Sequence, residues 1–170
     1  MNWTISESSD NTWLLKGSNA YLHFVDSVDN LPKVSYQNML FDLTKWDQYW
    51  QQDSCNFVPA NLADLPRTCC ENDQDYLAEQ AMHRQKIQRW ANELGLNSEN
   101  EMVTGKVPAV CFSETLVNGQ LRIRQGRHRI AYLRQIGAPC FAAAIPVEQV
   151  QFALNNHFIF KGLVTQGTSD

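Results

Sequence analysis

The chain has 170 residues, of which 44% are hydrophobic and 19% charged, and its formal net charge is −4. This composition is typical of one globular domain with a sizeable core, spanning residues 1–170. No run of about 18 apolar residues occurs, which predicts no transmembrane helix and no membrane partner. Residues 1–7 lack the features of a signal peptide, so we expect a cytoplasmic protein. The acidic net charge argues against a general nucleic-acid coat protein.

The charge is unevenly distributed along the chain. Residues 1–80 carry 12 acidic and 4 basic side chains, whereas residues 81–170 carry 6 acidic and 10 basic ones. Five arginines fall between Arg122 and Arg134. This local basic cluster permits an anionic ligand at one site of an otherwise acidic protein.

The cysteines are odd in number and include no C-x-x-C pair, so the sequence predicts reduced, mostly buried thiols. Cys70 with His83 could in principle contribute to a metal site, but nothing else at metal-ligand spacing supports one. The five are Cys55, Cys69, Cys70, Cys111 and Cys140.

The first half begins with a polar segment, residues 1–12, which we expect to be mobile. Alternating apolar residues and turn residues then indicate strands. The long irregular stretch that follows, with two prolines, is of a length often found in functional loops. The pattern predicts strands at 13–15, 20–25 and 39–43, a short helix at 44–52 and the irregular stretch at 53–71.

The clearest predicted helix spans residues 73–94. Asn72 can cap its start and Gly95 its end. His83 is interpreted as an ordinary surface residue of this helix. Apolar residues recur at helical spacing and define the expected inward face: Leu77, Ala81, Ile87, Trp90, Ala91 and Leu94.

The second half predicts a mixed α/β arrangement on which helix 73–94 packs. Asn118-Gly119 is a strong hairpin signal. Alternation in the strand after it places Arg122 and Arg124 on one face. The expected elements are strands at 107–112, 120–124 and 140–145, a helix at 127–136 stopped by Gly137, a helix from Pro146 to about 155, and a frayed tail from Gly162.

The start of helix 127–136 is the most informative stretch of the chain. Backbone N–H groups at a helix start are unpaired and carry partial positive charge, which favours phosphate. Basic side chains here oppose the helix dipole, and sequences break such local rules mostly where function requires it. The residues concerned are Gly126, Arg127, His128 and Arg129.

The segment Gln125-Gly126-Arg127-His128-Arg129-Ile130-Ala131 resembles the ParB/sulfiredoxin superfamily, and the similarity extends from Val107 to Ile145. The resemblance implies a single ParB/sulfiredoxin-like domain that binds the phosphates of a nucleotide. The superfamily includes sulfiredoxins, CTP-dependent partition proteins, kinases, nucleases and plasmid-encoded proteins that block DNA transfer by conjugation-type secretion systems. Carried over, the phosphate cradle would be Gly126, Arg127, His128 and Arg129.

Three departures narrow this resemblance to a free-standing member with an altered site. Arg127 stands where sulfiredoxins have their reactive cysteine, so sulfinic-acid reduction is not expected. It also replaces a glutamate that partition proteins use with the nucleotide, which argues against CTP hydrolysis. Only 24 residues follow Pro146, too few for the downstream helix-turn-helix domain of partition proteins.

The expected function is therefore a nucleotide-binding phosphohydrolase with ATP as substrate and His128, Arg129 and Arg127 as catalytic residues. DNA cleavage is an expected companion activity. Arg122 and Arg124 would then contact DNA weakly and without sequence preference.

Three further expectations complete this reading. Mg²⁺ is a candidate cofactor, with Glu114 and Asp42 as weak candidate ligands. By family analogy, the partner would be a secretion-system or plasmid-transfer protein whose DNA transfer the chain blocks. The alternative is a non-catalytic interaction protein that binds an acidic partner through the basic helix start.

Overall fold

The computed structural model describes residues 3–7, 12–18, 20–26, 35–94, 103–162 and 164–166. In these ranges the fold is mixed α and β, as predicted, with two mixed sheets. None of the described helices is long and apolar enough to cross a bilayer. The strands are β1 (Thr4–Glu7), β2 (Trp13–Gly17), β3 (Ala20–Val25), β4 (Tyr36–Asp42), β5 (Val103–Pro108), β6 (Val110–Phe112), β7 (Ile123–Gln125), β8 (Cys140–Pro146) and β9 (Val164–Gln166), and the helices are α1 (Leu43–Trp50), α2 (Asp73–Leu94), α3 (Arg127–Gln135) and α4 (Val150–Asn155).

The first sheet has the strand order β5-β3-β2-β1-β9. The neighbours β3, β2 and β1 are antiparallel, whereas β5 and β9 run parallel to β3 and β1. Alternation in β2 and β3 buries Leu15 opposite Leu22. Residues 4–7 form β1 and residues 164–166 form β9, within the segments expected to be mobile or frayed. Strand β9 pairs with β1, which also pairs with β2.

The second sheet has the order β4-β8-β6-β7. All seven residues of β8 are buried, as expected for a continuous apolar run covered on both faces. Strand β4 starts earlier than predicted and ends at Asp42, whose Oδ1 accepts a hydrogen bond of 3.0 Å from the Lys45 N–H. Asp42 is thus the N-cap of α1.

The predicted strand 107–112 is wrong as a single element, because the chain changes sheet at Ala109. The Ala109 N–H donates to the carbonyl of Val25 at 2.8 Å, which ends β5 in the first sheet. Strand β6 then pairs with β7 and β8 in the second. One short segment therefore joins the two sheets.

In the second half, the turn at Asn118-Gly119 is as predicted, whereas the segment after β8 differs from the prediction. Asn118 and Gly119 have φ values of 52° and 74°, the left-handed pair of a type I′ turn. The strand predicted at 120–124 is shorter, as β7. Pro146 does not start a helix, because it is the last residue of β8 opposite Tyr36. A 3₁₀ turn at 147–149 precedes α4.

Helix α2 has the predicted bounds, and Asn72 caps it by accepting a hydrogen bond of 2.9 Å from the Asp75 N–H. Gly95 lies outside the described residues. The predicted inward face is wrong near the start, because the side chain of Leu77 is 62% exposed. The buried residues are Tyr76, His83, Ile87 and Leu94.

The packing of the preceding segment explains this rotation of α2. The Tyr76 hydroxyl donates to the carbonyl of Ala63 at 2.8 Å, and the Gln80 amide donates to the carbonyl of Leu62 at 2.9 Å. These two bonds orient the face that carries residues 76, 80 and 83 inward.

Segment 53–71 is irregular, as predicted, but it contains a disulfide between Cys55 and Cys69 with a Cα–Cα distance of 5.6 Å. The prediction of reduced thiols is wrong for this pair, since the loop folds back and brings together residues that spacing alone does not connect. The remaining cysteines form no disulfide in the described structure: Cys70 is half-buried and Cys111 and Cys140 are buried.

Candidate functional site

Gly126 connects β7 to α3 and fixes where the helix starts. Its φ of 108° lies in the left-handed region, and a Cβ here would lie 3.0 Å from Cγ2 of Val110. The Gly126 carbonyl accepts the first hydrogen bond of the helix, from the Ile130 N–H at 3.0 Å. Arg127 and His128 therefore begin α3 at a fixed position against β6.

His128 contacts a second histidine that the sequence analysis assigned to the surface. Its Nε2 lies 2.8 Å from Nδ1 of His83 on α2. His83 is only 2% exposed, and its Nε2 lies 3.1 Å from Oε1 of Glu79 one turn earlier. The three side chains form a continuous hydrogen-bonded series from the exposed Glu79 carboxylate to the helix start.

The series fixes the protonation pattern of both rings. A carboxylate accepts hydrogen bonds, so His83 donates from Nε2 to Glu79. The Nδ1 of a neutral His83 then accepts a hydrogen bond from the Nε2–H of His128. This leaves the Nδ1 of His128 with a free lone pair, the atom able to take a proton.

Both rings are neutral at pH 7. Burial lowers the pKa of His83. Burial, followed by the charges of His83, Arg127 and Lys86, lowers the pKa of His128 from 6.5 to about 3.

Arg127 and Lys86 are the cations beside this histidine pair. Arg127 is half-buried, and its Nη1 donates to the carbonyl of Asn56 at 3.3 Å. Within the described ranges, neither Arg127 nor Lys86 has a carboxylate within 4.0 Å. Both are thus available to an anion.

Arg129 points away from this site. It is 8% exposed, and its Nη1 donates to the carbonyls of Pro108 and Ala109 at 2.6 and 2.7 Å. Its guanidinium lies 4.9 Å from the ring centre of Trp90. Residues 127 and 129 lie about 200° apart around a helix, so both cannot face one ligand. In this structure Arg129 is therefore not part of the expected phosphate cradle. It hydrogen-bonds the segment in which the chain passes from the first sheet to the second.

The two arginines expected to contact DNA each lie beside a carboxylate. Arg122 pairs with Asp53 at 3.0 Å, and Arg124 lies 3.9 Å from Glu114. Glu114, a candidate Mg²⁺ ligand, is thus an arginine partner, and Asp42 is a helix cap. No group of three or more metal-ligating side chains occurs among the residues described.

The sequence analysis missed His83, Glu79 and Lys86 as site residues. The signal was present, since Glu79 and His83 are spaced i, i+4 and residues 76, 80, 83 and 87 share one helix face. The apolar residues Leu77 and Ala81 instead suggested that a different face of α2 is buried.

No family model, curated protein or solved structure matches this chain. The ParB/sulfiredoxin resemblance therefore stays a prediction, and the site is interpreted from its geometry.

Proposed function

We propose that the chain is a phosphohydrolase that cleaves a phosphate ester of a nucleotide at the start of α3. The observation that carries this proposal is the hydrogen-bonded series Glu79–His83–His128 beside Arg127, which has no carboxylate within 4.0 Å among the described residues. A neutral histidine oriented by a second group, with a cation next to it, is the arrangement that general-base catalysis on an anion requires.

In the proposed reaction, Arg127 and the backbone N–H groups of the helix start bind the phosphate oxygens. The Nδ1 of His128 takes a proton from a water molecule, whose oxygen forms the new bond to phosphorus. The ester P–O bond breaks, and the leaving oxygen takes a proton from solvent. Through His83, the Glu79 carboxylate stabilises the imidazolium that forms on His128.

The low pKa of His128 in the free protein fits this scheme only with substrate bound. Positive charge on Arg127 and Lys86 is part of what lowers it. Burial is the larger cause and remains, but a bound phosphate offsets both charges and so raises the pKa of His128 from its value in the free protein. Substrate binding would then activate its own base.

The remaining expectations carry less support. ATP remains a candidate substrate, and Mg²⁺ would come with its phosphates. DNA cleavage is less favoured, since Arg122 and Arg124 lie beside carboxylates. Inhibition of DNA transfer by a secretion system is proposed from the resemblance alone.

Phosphate release by purified variants tests the proposal. His128→Gln should lower kcat by about 10²–10⁴-fold, the usual contribution of a general base. Arg127→Ala should weaken substrate binding by roughly 10- to 150-fold, the cost of one charge-assisted contact. The matched control is Arg84→Ala, an exposed arginine elsewhere on α2. Turnover by His128→Gln equal to that of the parent would exclude this site.

The competing proposal is a non-catalytic interaction protein, and one observation favours it. The partly exposed Arg122 and Arg124 each lie beside a carboxylate of the same chain. A surface of paired charges suits a protein partner of mixed charge. A thermal-shift measurement with nucleotides separates the two proposals, since a ligand of the native state must raise the Tm.

A further inference from the structure

The arginine cluster at 122–134 offers fewer free cations than the sequence implies. Two members lie beside the carboxylates of Asp53 and Glu114, as described above. Arg134 forms a two-pronged pair with Asp47 at 2.6 and 2.7 Å and also donates to the carbonyl of Val58. Arg129 is directed to backbone carbonyls. Arg127 differs from the other four. It has no carboxylate within 4.0 Å among the described residues, and it is only half-buried.

A second available cation comes from α2. Lys86 follows His83 by three residues, and its charge lowers the pKa of both His83 and His128. It has no carboxylate within 4.0 Å among the side chains described. Arg127 precedes His128 on α3, and Lys86 lies one turn after its partner His83 on α2, so both cations lie beside the histidine contact.

Carboxylates lie on the Arg127 side of this pair of cations. The carboxylates of Asp53 and Glu79 both act on the charge of Arg127, and Glu114 lies beside Arg124. A ligand with several phosphates would have to place the additional ones against these carboxylates, which is unfavourable.

We infer that the substrate presents a single phosphate monoester, a dianion matched by Arg127 and Lys86, as in a nucleoside monophosphate, rather than a polyphosphate or a polynucleotide. This inference rests on the proposed function and narrows its substrate class. The tryptophans of α1 offer no platform for stacked bases, since Trp46 and Trp50 are buried in the core, and the Tyr49 ring packs against Phe158.

The test measures kcat/KM of the full chain for AMP and p-nitrophenyl phosphate, for ATP with and without Mg²⁺, and for a single-stranded oligonucleotide. We expect kcat/KM for each monoester to be about tenfold or more higher than kcat/KM for ATP or for the oligonucleotide. Higher kcat/KM for ATP or the oligonucleotide would overturn the inference and leave the proposed hydrolase intact.

Binding of AMP and inorganic phosphate, measured by calorimetry, separates the two claims. Binding of AMP in preference to ATP without turnover of any ester would support the ligand class and exclude the hydrolase. Absence of both binding and turnover would overturn both.

Two variants test the charge argument directly. Asp53→Asn combined with Glu114→Gln releases Arg122 and Arg124, and should raise oligonucleotide affinity about threefold or more at low salt. Monoester kcat/KM should not fall, because Asp53→Asn also removes a carboxylate that acts on the charge of Arg127. Lys86→Gln should lower monoester kcat/KM about threefold or more, with Arg84→Gln as the matched control on the same helix. Unchanged oligonucleotide affinity in the first variant, or unchanged kcat/KM in the second, would overturn the inference.

Discussion

His83 and His128 are hydrogen-bonded to each other across two helices, Nδ1 to Nε2, at 2.8 Å. The contact joins α2 to α3 and holds two neutral imidazoles in a site that also contains two cations. Protonation of either ring would add a third positive charge there. The pair therefore links the protonation of the site to the packing of the helices.

The first prediction concerns acid sensitivity. The pKa of His128 is about 3 in the folded chain and about 6.5 unfolded. Between these values the unfolded chain binds more protons, so stability falls as pH is lowered through 6.5. Because the His128 ring is partly exposed, solvent screening reduces this loss to about 1 kcal/mol or less between pH 6.5 and pH 5. Urea unfolding at pH 7 and pH 5 should show a smaller loss for His128→Gln than for the parent, and equal losses would contradict the assignment.

The second prediction concerns Arg129. At the sequence level its removal is expected to change stability little, because it opposes the helix dipole. The structure reverses this expectation, since Arg129→Ala leaves two buried carbonyls without their donor and removes the contact with Trp90.

We expect Arg129→Ala to lower the free energy of unfolding by about 3 kcal/mol. Arg124→Ala, at an arginine with 42% side-chain exposure, should cost about 1 kcal/mol or less. Chemical denaturation of both variants measures the difference, and similar values would show that Arg129 is not structural.

The third prediction concerns the glycine before α3. Gly126→Ala combines a left-handed φ with a contact of 3.0 Å to Val110, and should cost about 2–3 kcal/mol. Gly119→Ala is the control, because its φ is also positive but nothing lies within 4 Å of the added Cβ. Its cost should be about 1 kcal/mol. Thermal denaturation of both variants tests this ranking of stability losses. A larger loss of stability for Gly119→Ala than for Gly126→Ala would contradict it.

The fourth prediction concerns the disulfide. Cys55 and Cys69 are 14 residues apart, and closing a loop of this length contributes about 3 kcal/mol in the chain-entropy treatment. Cys55→Ser, or a reductant added to the parent, should lower stability by about this amount. Cys70→Ser should not lower stability by this amount. A reductant should destabilise this variant as much as it destabilises the parent. No effect of reductant on the parent would mean that the bond contributes nothing.

Local signals were sufficient for several elements. Helix α2 has its predicted bounds because a cap at Asn72 and a long polar-apolar periodicity act within the segment itself. The turn at Asn118-Gly119 is likewise decided by its own two residues, which tolerate positive φ. Such features depend on neighbours in sequence, so the sequence alone predicts them.

The failures have a common physical cause, which is a partner distant in sequence. Strand β9 pairs with β1 from the opposite end of the sequence, and the break at Ala109 depends on the carbonyl of Val25. The burial of His83 depends on His128, 45 residues away. Arg129 was expected to bind phosphate because its type suits that role, but its direction is decided by the position of the sheet crossing.

The change of sheet at Ala109 also bears on how the protein opens. Because β5 and β6 are parts of one continuous segment, neither sheet can release its strand without pulling on the other. Opening of this region should therefore approach the global unfolding event rather than occur as a local fluctuation. The Ala109 N–H donates to the Val25 carbonyl, and Arg129 hydrogen-bonds the neighbouring carbonyls of Pro108 and Ala109. We therefore expect the Ala109 amide hydrogen to be among the slowest to exchange with solvent.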